Sequence, residues 1–365
     1  MNGSRVWLAT TLTATLVVTG CAGPSAPAAS TPAAPVAAPA ALAASAAPTP
    51  CATMRKVSLG VSVTPPNVVH TPPYVAKELG IFAKRCIDAE IIEFEGGLSA
   101  TNLTAVAQGK VLASLNEVAI QAGLKGKQVW GMAPRLPHVY MVAESIKAAA
   151  DLKGKRLSAA GGGVGSFNWR MGREVLKTAN LTVADAQFIS QGTAGRLPGL
   201  LTGQIEGVAL HPEDVLLAQK EKPGVHVLVN LDQLLPSYFF NAYGVADSKL
   251  AEDRPLIRDV VAALIETNRF IYNNKAKVVP IMVKATQKPE DAVSYAYDFL
   301  TKNCVWSVNT GFNKARTDWS IQSSVDNKDI EPAQRLTYDQ IVAESLGNEA
   351  LAQVGGATTI NGCKD

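Results

Sequence analysis

The chain has 365 residues and carries 34 Lys and Arg against 31 Asp and Glu, a net charge of +3 with neutral histidines. That near-balance, with no Lys/Arg run dense enough to follow a phosphate backbone, argues against nucleic-acid binding. Its 4 His and 5 Cys show neither a Cys-x-x-Cys pair nor a Cys/His spacing of the metal-ligand kind, so neither a metal nor a cofactor is expected.

The N-terminus reads as an export signal. Arg5 supplies a short basic region, residues 6–19 are uncharged and largely apolar, and small Gly20 precedes Cys21. A run this short falls below the roughly 20 residues of a membrane-spanning helix. The end of the run, Val18-Thr19-Gly20-Cys21, resembles the lipobox of bacterial lipoproteins. That resemblance implies a signal peptide over 1–20, lipidation of Cys21, and a protein held to the membrane on its periplasmic side; a cleaved signal with an incidental cysteine is the alternative. Residues 22–50 contain 14 Ala, 7 Pro and no charge. Such a segment cannot offset its ordering entropy, so 21–53 is expected to be a tether reaching up to roughly 90 Å at about 3.1 Å per residue. About 310 residues remain, which suits two lobes better than one core.

From Lys56 onward short apolar runs alternate with helical patterns. Residues 57–63 read as a strand, and Pro72-Pro73 opens a helix with Val75, Leu79 and Phe82 on one face and Gly80 as its stop. A strand over 87–94, a helix over 99–108 and a strand over 111–115 follow. A second series has strands over 156–160, 188–190, 207–210 and 225–229, helices over 167–177 and 196–202, and a glycine loop over 161–165. Strand–helix alternation implies parallel sheets. Residues 139–143 and 239–245 are expected to cross between two lobes, and helices over 255–273, 289–302 and 333–346 to complete the C-terminal third. This gives an α/β class with two hinged lobes around a cleft, the first over 54–141 and 240–365, the second over 142–239.

After Cys21 the cysteines are Cys51, Cys86, Cys304 and Cys363, an even number in an exported chain, which allows two disulfides in three connectivities. Cys51 and Cys86 each stand just before a strand, and neighbouring parallel strands would bring both to one sheet edge. Cys51–Cys86 with Cys304–Cys363 is therefore favoured over free buried thiols.

Thr71-Pro-Pro-Tyr-Val-Ala-Lys-Glu-Leu-Gly-Ile-Phe82 and Ile87-Asp-Ala-Glu-Ile-Ile-Glu-Phe-Glu-Gly-Gly97 resemble the opening of the nitrate/sulfonate/taurine-type solute-binding proteins, which share a fold with thiamine-pyrimidine-precursor binding proteins. Asp151-Leu-Lys-Gly-Lys-Arg156 and Leu200-Leu-Thr-Gly-Gln-Ile-Glu-Gly207 extend the resemblance, which covers about 55–350. It implies a type II periplasmic-binding-protein fold that passes a small organic solute or anion to a membrane permease of the ATP-binding-cassette class. The receptor is expected to be a monomer.

In open α/β sheets ligands sit beyond the carboxyl ends of strands. Those positions nominate Asn67 and His70 after the first strand, and Ser99 as a helix cap whose neighbouring N–H groups could meet an anion. Asn116 and Glu117 follow the third strand, and a Glu there favours amine or amide donors over an anion. Gly165 and Ser166 close the glycine loop, with Phe167 as a wall. The loop lacks the acidic residue that completes a dinucleotide fingerprint, which argues against NAD. Arg196, His211 and Tyr238 complete the set; structural readings (capping, tight turn, solvated face) compete at each. Fungal relatives of the fold make the thiamine pyrimidine with a cysteine-rich motif and a sacrificial His. Here no clustered cysteines and no Gly-x-Ser-x-Gly occur, so catalysis is not expected; a sensor without a transporter is a third reading.

Overall fold

A computed structural model describes residues 51–365. The signal segment, Cys21 and most of the tether lie outside the described residues. The first lobe is built on strands β1 (Arg55–Val61), β2 (Ile87–Glu93), β3 (Ala113–Ser114) and β4 (Gly126–Ala133). The second uses β5 (Val139–Val142), β6 (Arg156–Ser158), β7 (Gln187–Ile189), β8 (Gly207–Leu210) and β9 (His226–Asn230), after which β10 (Asn241–Ala246) returns to the first.

Both lobes follow one plan. In the second, the sheet order is β7-β6-β8-β5-β9, with β5 antiparallel to both of its neighbours. In the first, β1 pairs in parallel with β2, and β3-β10-β4 forms a three-stranded piece in which β10 is antiparallel to both neighbours. The two pieces are stitched where Gly60 N–H donates to Leu112 O at 2.7 Å and Leu112 N–H to Ser58 O at 3.0 Å. The antiparallel member of each sheet is the strand that has just arrived from the other lobe.

This placement corrects the expected crossings. Residues 139–142 are an inner strand of the five-stranded sheet, not a connector, so the outgoing crossing is 134–138 and the second lobe begins before residue 142. Likewise 241–246 belong to the first-lobe sheet, and the return crossing is 235–240. The C-terminal helix expected over 333–346 is broken as well. A turn at Pro332–Gln334 and a short helix at Tyr338–Ile341 precede a helix at Glu344–Gln353. Between the last two the chain extends, and Ala343 N–H donates to Gln128 O at 2.9 Å on the edge of β4. Helices at Pro212–Glu221, Lys275–Thr286 and Lys314–Asp326 complete the fold.

The first-lobe core forms where helix Arg254–Asn273 lays Ile257, Val260, Val261 and Leu264 against Val129 and Met132 of β4. Asp253 caps that helix by accepting Leu256 N–H, and Pro255 occupies its first turn, where a missing N–H costs nothing. The second core joins Tyr140 and Val142 of β5 to Met171 and Val175 of helix Phe167–Lys177. Cys51 pairs with Cys86 and Cys304 with Cys363, closing loops of 35 and 59 residues. Cys86 directly precedes β2, and Arg55 N–H, the first of β1, donates to Cys86 O at 2.8 Å, so parallel pairing places the first bond at a sheet edge.

Candidate functional site

The carboxyl ends of the parallel strands from both sheets face one another across a cleft of about 740 Å³, mouth included. His70, Asn116 and Glu117 line it from the first lobe, and Phe167, Arg196 and His211 from the second. Local folding explains their positions. His70 ends a short turn, Val68–His70, whose base is fixed by Trp306 Nε1–H donating to Val69 O at 2.9 Å. Asn116 caps the next helix, its side chain accepting Val118 N–H at 2.7 Å, which sets Glu117 at the first helical position. His211 follows β8 directly and stands at the N-cap of helix Pro212–Glu221, where Pro212 starts the helix.

The remaining expected residues stand at the edges. Ser99 and Ser166 act as helix caps, accepting Asn102 N–H and Trp169 N–H at 3.4 and 3.3 Å. Gly165 and Ser166 border an adjoining recess with Leu98 and Val118, and Tyr238 another with Glu117 and Arg170. Burial pushes the Tyr238 hydroxyl up to about 12. Asn67 lies beneath the cleft wall in a buried network between the lobes. Its Nδ2–H donates to Glu213 Oε1 at 2.8 Å and to Asp214 Oδ2 at 3.2 Å, while its Oδ1 accepts from Arg196 Nη2 at 2.7 Å. Val68 N–H also donates to Glu213 Oε1, and Lys288 pairs with Asp214. A second seam lies alongside: Thr193 N–H donates to Glu95 Oε2 at 2.9 Å and its hydroxyl to Thr64 O at 3.1 Å.

Sequence reading did not single out His138, Gln128, Asn241 or Phe240, all of which line the cleft. His138 is the last residue of the outgoing crossing, and the available signal was that any residue just before a crossing strand must lie between lobes. Three of the four histidines meet here. The His138 and His211 ring centres are 4.0 Å apart and those of His70 and His211 5.6 Å, with Phe240 at 4.8 Å from His138. Among the described residues no group of three His, Cys, Asp or Glu is arranged to hold a metal.

Burial decides the charge state of this cluster. It pulls His70 down to about 3, with Arg196 adding to the effect, and pulls His138 and His211 well below the ordinary imidazole range. The cluster is therefore three neutral rings, each offering one donor and one acceptor. Burial pushes Glu117 up, opposed by Arg170, and pushes Glu213 up with help from Asp214. Burial lowers Arg196, against which Asp214, Glu213 and Glu95 act.

Two outcomes are expected. Because the folded-state values of the three imidazoles lie below their unfolded value of about 6.5, their contribution is complete above that pH and is lost as pH falls, for His70 down to about 3. Each ring should cost about 1.4 kcal/mol per pH unit in that window, with Glu117 and Glu213 acting in the opposite sense. Urea unfolding from pH 7.5 to 5 should therefore be steeper in pH for the natural protein than for His138→Gln, and equal slopes would contradict the buried neutral cluster. The second outcome concerns the lobe contact. A Cβ on Gly96 would stand 2.3 Å from Gly161 O across the cleft, at φ +148°. Gly96→Ala should wedge the lobes apart and weaken solute binding at least about tenfold, read by calorimetry.

Residues 67–277 match a family model described as NMT1/THI5 like, more than half of the chain. No curated protein matches the sequence significantly. The fold is that of the periplasmic nitrate-binding protein NrtA from Synechocystis PCC 6803, at 12% identity and TM-score 0.65, over 83% of this chain and 89% of that one. It is equally that of the periplasmic aliphatic sulphonate binding protein SsuA from Escherichia coli, at 20% identity and TM-score 0.60, over 77% and 91%. The desulfurization enzyme DszB shares it at 17% identity and TM-score 0.56, over 81% and 99%. With two lobes of one topology around the cleft and a match across both, the chain belongs to the NMT1/THI5-like family.

Proposed function

We propose that this protein is an extracytoplasmic solute receptor that captures a small organic solute or anion between its lobes and delivers it to an ATP-binding-cassette permease. The observation that carries this reading is the cleft, whose walls come from both lobes and whose rim is joined by paired polar groups. A site of that kind is completed only when the lobes close, so a ligand that touches both walls favours the closed state by its differential affinity. Nothing in this action requires bond chemistry. NrtA and SsuA, both named as binding proteins, support the receptor reading, and the presence of DszB on the same fold keeps catalysis as the rival.

The same reading extends to the N-terminus. Signal cleavage after Gly20 would leave Cys21 lipidated, with the Ala/Pro-rich segment as a tether and the lobes, as a monomer, on the periplasmic side. Search for the permease then becomes local, at raised effective concentration. No helix among the described residues is long and apolar enough to cross a membrane. The ligand set proposed for the closed state is His70, Asn116, Glu117, Phe167, Arg196 and His211, with Asn67 supporting from beneath the wall and Ser99, Gly165, Ser166 and Tyr238 from the edges.

A solute present at 100 times its dissociation constant should stabilise the fold by about 2.7 kcal/mol and be recovered unchanged; a chemically altered product would favour the enzyme instead. Cys21→Ala should move the protein from the membrane fraction to the soluble one, and unchanged membrane retention would refute the lipid anchor.

A further inference from the structure

The two crossings between the lobes line a second recess, of about 680 Å³ with its mouth. His138, Phe239 and Phe240 turn toward the cleft, whereas Arg135, Leu136, Leu235 and Pro236 turn toward this recess, and no residue lines both. Its remaining wall belongs to the first lobe. Phe299 and Asn303 come from the end of helix Glu290–Lys302, Val305 from the chain beside the Cys304–Cys363 bond, and Arg316 from helix Lys314–Asp326.

Two arginines here differ from most others in the chain. Arg55, Arg85, Arg173 and Arg254 each pair with a carboxylate, and Arg269 donates to four oxygens. Among the described residues, the Arg135 side chain makes no ion pair or hydrogen bond. That of Arg316 only donates Nη1–H to Tyr238 O at 3.4 Å. The two instead act on each other: burial lowers Arg316, and the Arg135 charge lowers it further. Nearby acids do not relieve this. Asp232 stands on the same wall and forms no ion pair among the described residues. Asp365 borders the adjoining hollow, but its carboxylate accepts N–H from Val308, Asn309 and Gly311 at 3.1, 3.3 and 2.6 Å. Two guanidiniums that share no carboxylate repel each other and keep N–H forks unfilled, and one oxyanion with several acceptor oxygens answers both. Beside the charges the wall is apolar, with Leu136, Leu235 and Val305 buried and Phe299 half-buried.

We propose that this recess is a second ligand site, taking a small organic anion whose phosphate- or carboxylate-type head bridges Arg135 and Arg316 while its apolar body rests on Leu235 and Phe299. The site is separate from the solute cleft and does not depend on the receptor reading. An anion held there joins Arg135, on the outgoing crossing, to Arg316, which already bonds the return crossing at Tyr238 O.

The test is calorimetric titration of the purified full chain with phenylphosphonate at pH 7.5 and low ionic strength. Sulfate and benzyl alcohol serve as probes of charge alone and ring alone. Phenylphosphonate should bind about tenfold more tightly than sulfate, because its ring also leaves water, and benzyl alcohol should not bind. Arg135→Gln and Arg316→Gln should each weaken phenylphosphonate by about tenfold or more, the scale of one lost charge-assisted hydrogen bond. His211→Ala, which alters the cleft wall, should retain the site within about twofold. Since Arg135 has no partner to lose, Arg135→Gln without anion should melt no lower than the natural protein. A loss in His211→Ala with none in the arginine variants would put the anion in the cleft and overturn the proposal. So would phenylphosphonate binding no better than sulfate, no binding at all, or a lower melting temperature for anion-free Arg135→Gln.

Discussion

The Asn67 side chain is the centre of the more deeply buried of the two polar seams between the lobes. One amide serves two carboxylates and one guanidinium, all of them buried, so each member depends on the others for its hydrogen bonds. Removing one partner from such a network leaves an uncompensated buried charge, a loss of about 3–5 kcal/mol. The network also sets the geometry of everything above it. His70 lies in the turn that Asn67 opens, and His211 occupies the N-cap position of the helix that presents Glu213 and Asp214. The histidine cluster is thus a consequence of a lobe contact built one layer below it.

Repetition of one topology explains why a cleft exists at all. Each sheet runs three parallel strands, then the strand arriving from the other lobe in the opposite sense, then a last strand. With the arriving strand embedded inside the sheet, the crossings at 134–138 and 235–240 are short and tied at both ends. The carboxyl ends of the parallel strands face inward in both lobes, which is where open α/β sheets bind ligands. Phe240 and His138 belong to these crossings, so the connection between lobes also forms part of the site wall.

The strand–helix rhythm was legible where local signals were strong. Helix Phe167–Lys177 and strand Gly207–Leu210 were readable to their bounds, the first because Ser166 caps it, the second because the apolar run Val208-Ala209-Leu210 follows Gly207 and stops before His211-Pro212. Strand β4 carried no readable alternation, because it is buried along nearly its whole length, and Gly126 and Gly131 interrupt it. The break at Val342 was invisible, since its cause is a contact with Gln128 more than 200 residues away. The site divided in the same way. Strand-end logic found His70, Glu117 and His211, whereas Gln128 sits mid-strand and enters the cleft only through tertiary arrangement. Asn67 was readable as a polar residue in a proline-rich loop, but its commitment to Arg196 and Glu213 depends on residues about 130 and 146 positions distant.

In the receptor proposed here both lobes, joined through buried polar contacts, enclose one solute against the histidine cluster. A crystal structure of the protein carrying a retained solute tests it most directly. Ligand density is expected between the lobes, bounded by His211 and Phe240. Density held only in the recess lined by Arg135 and Arg316, with the His138–His211 contact undisturbed, would contradict it.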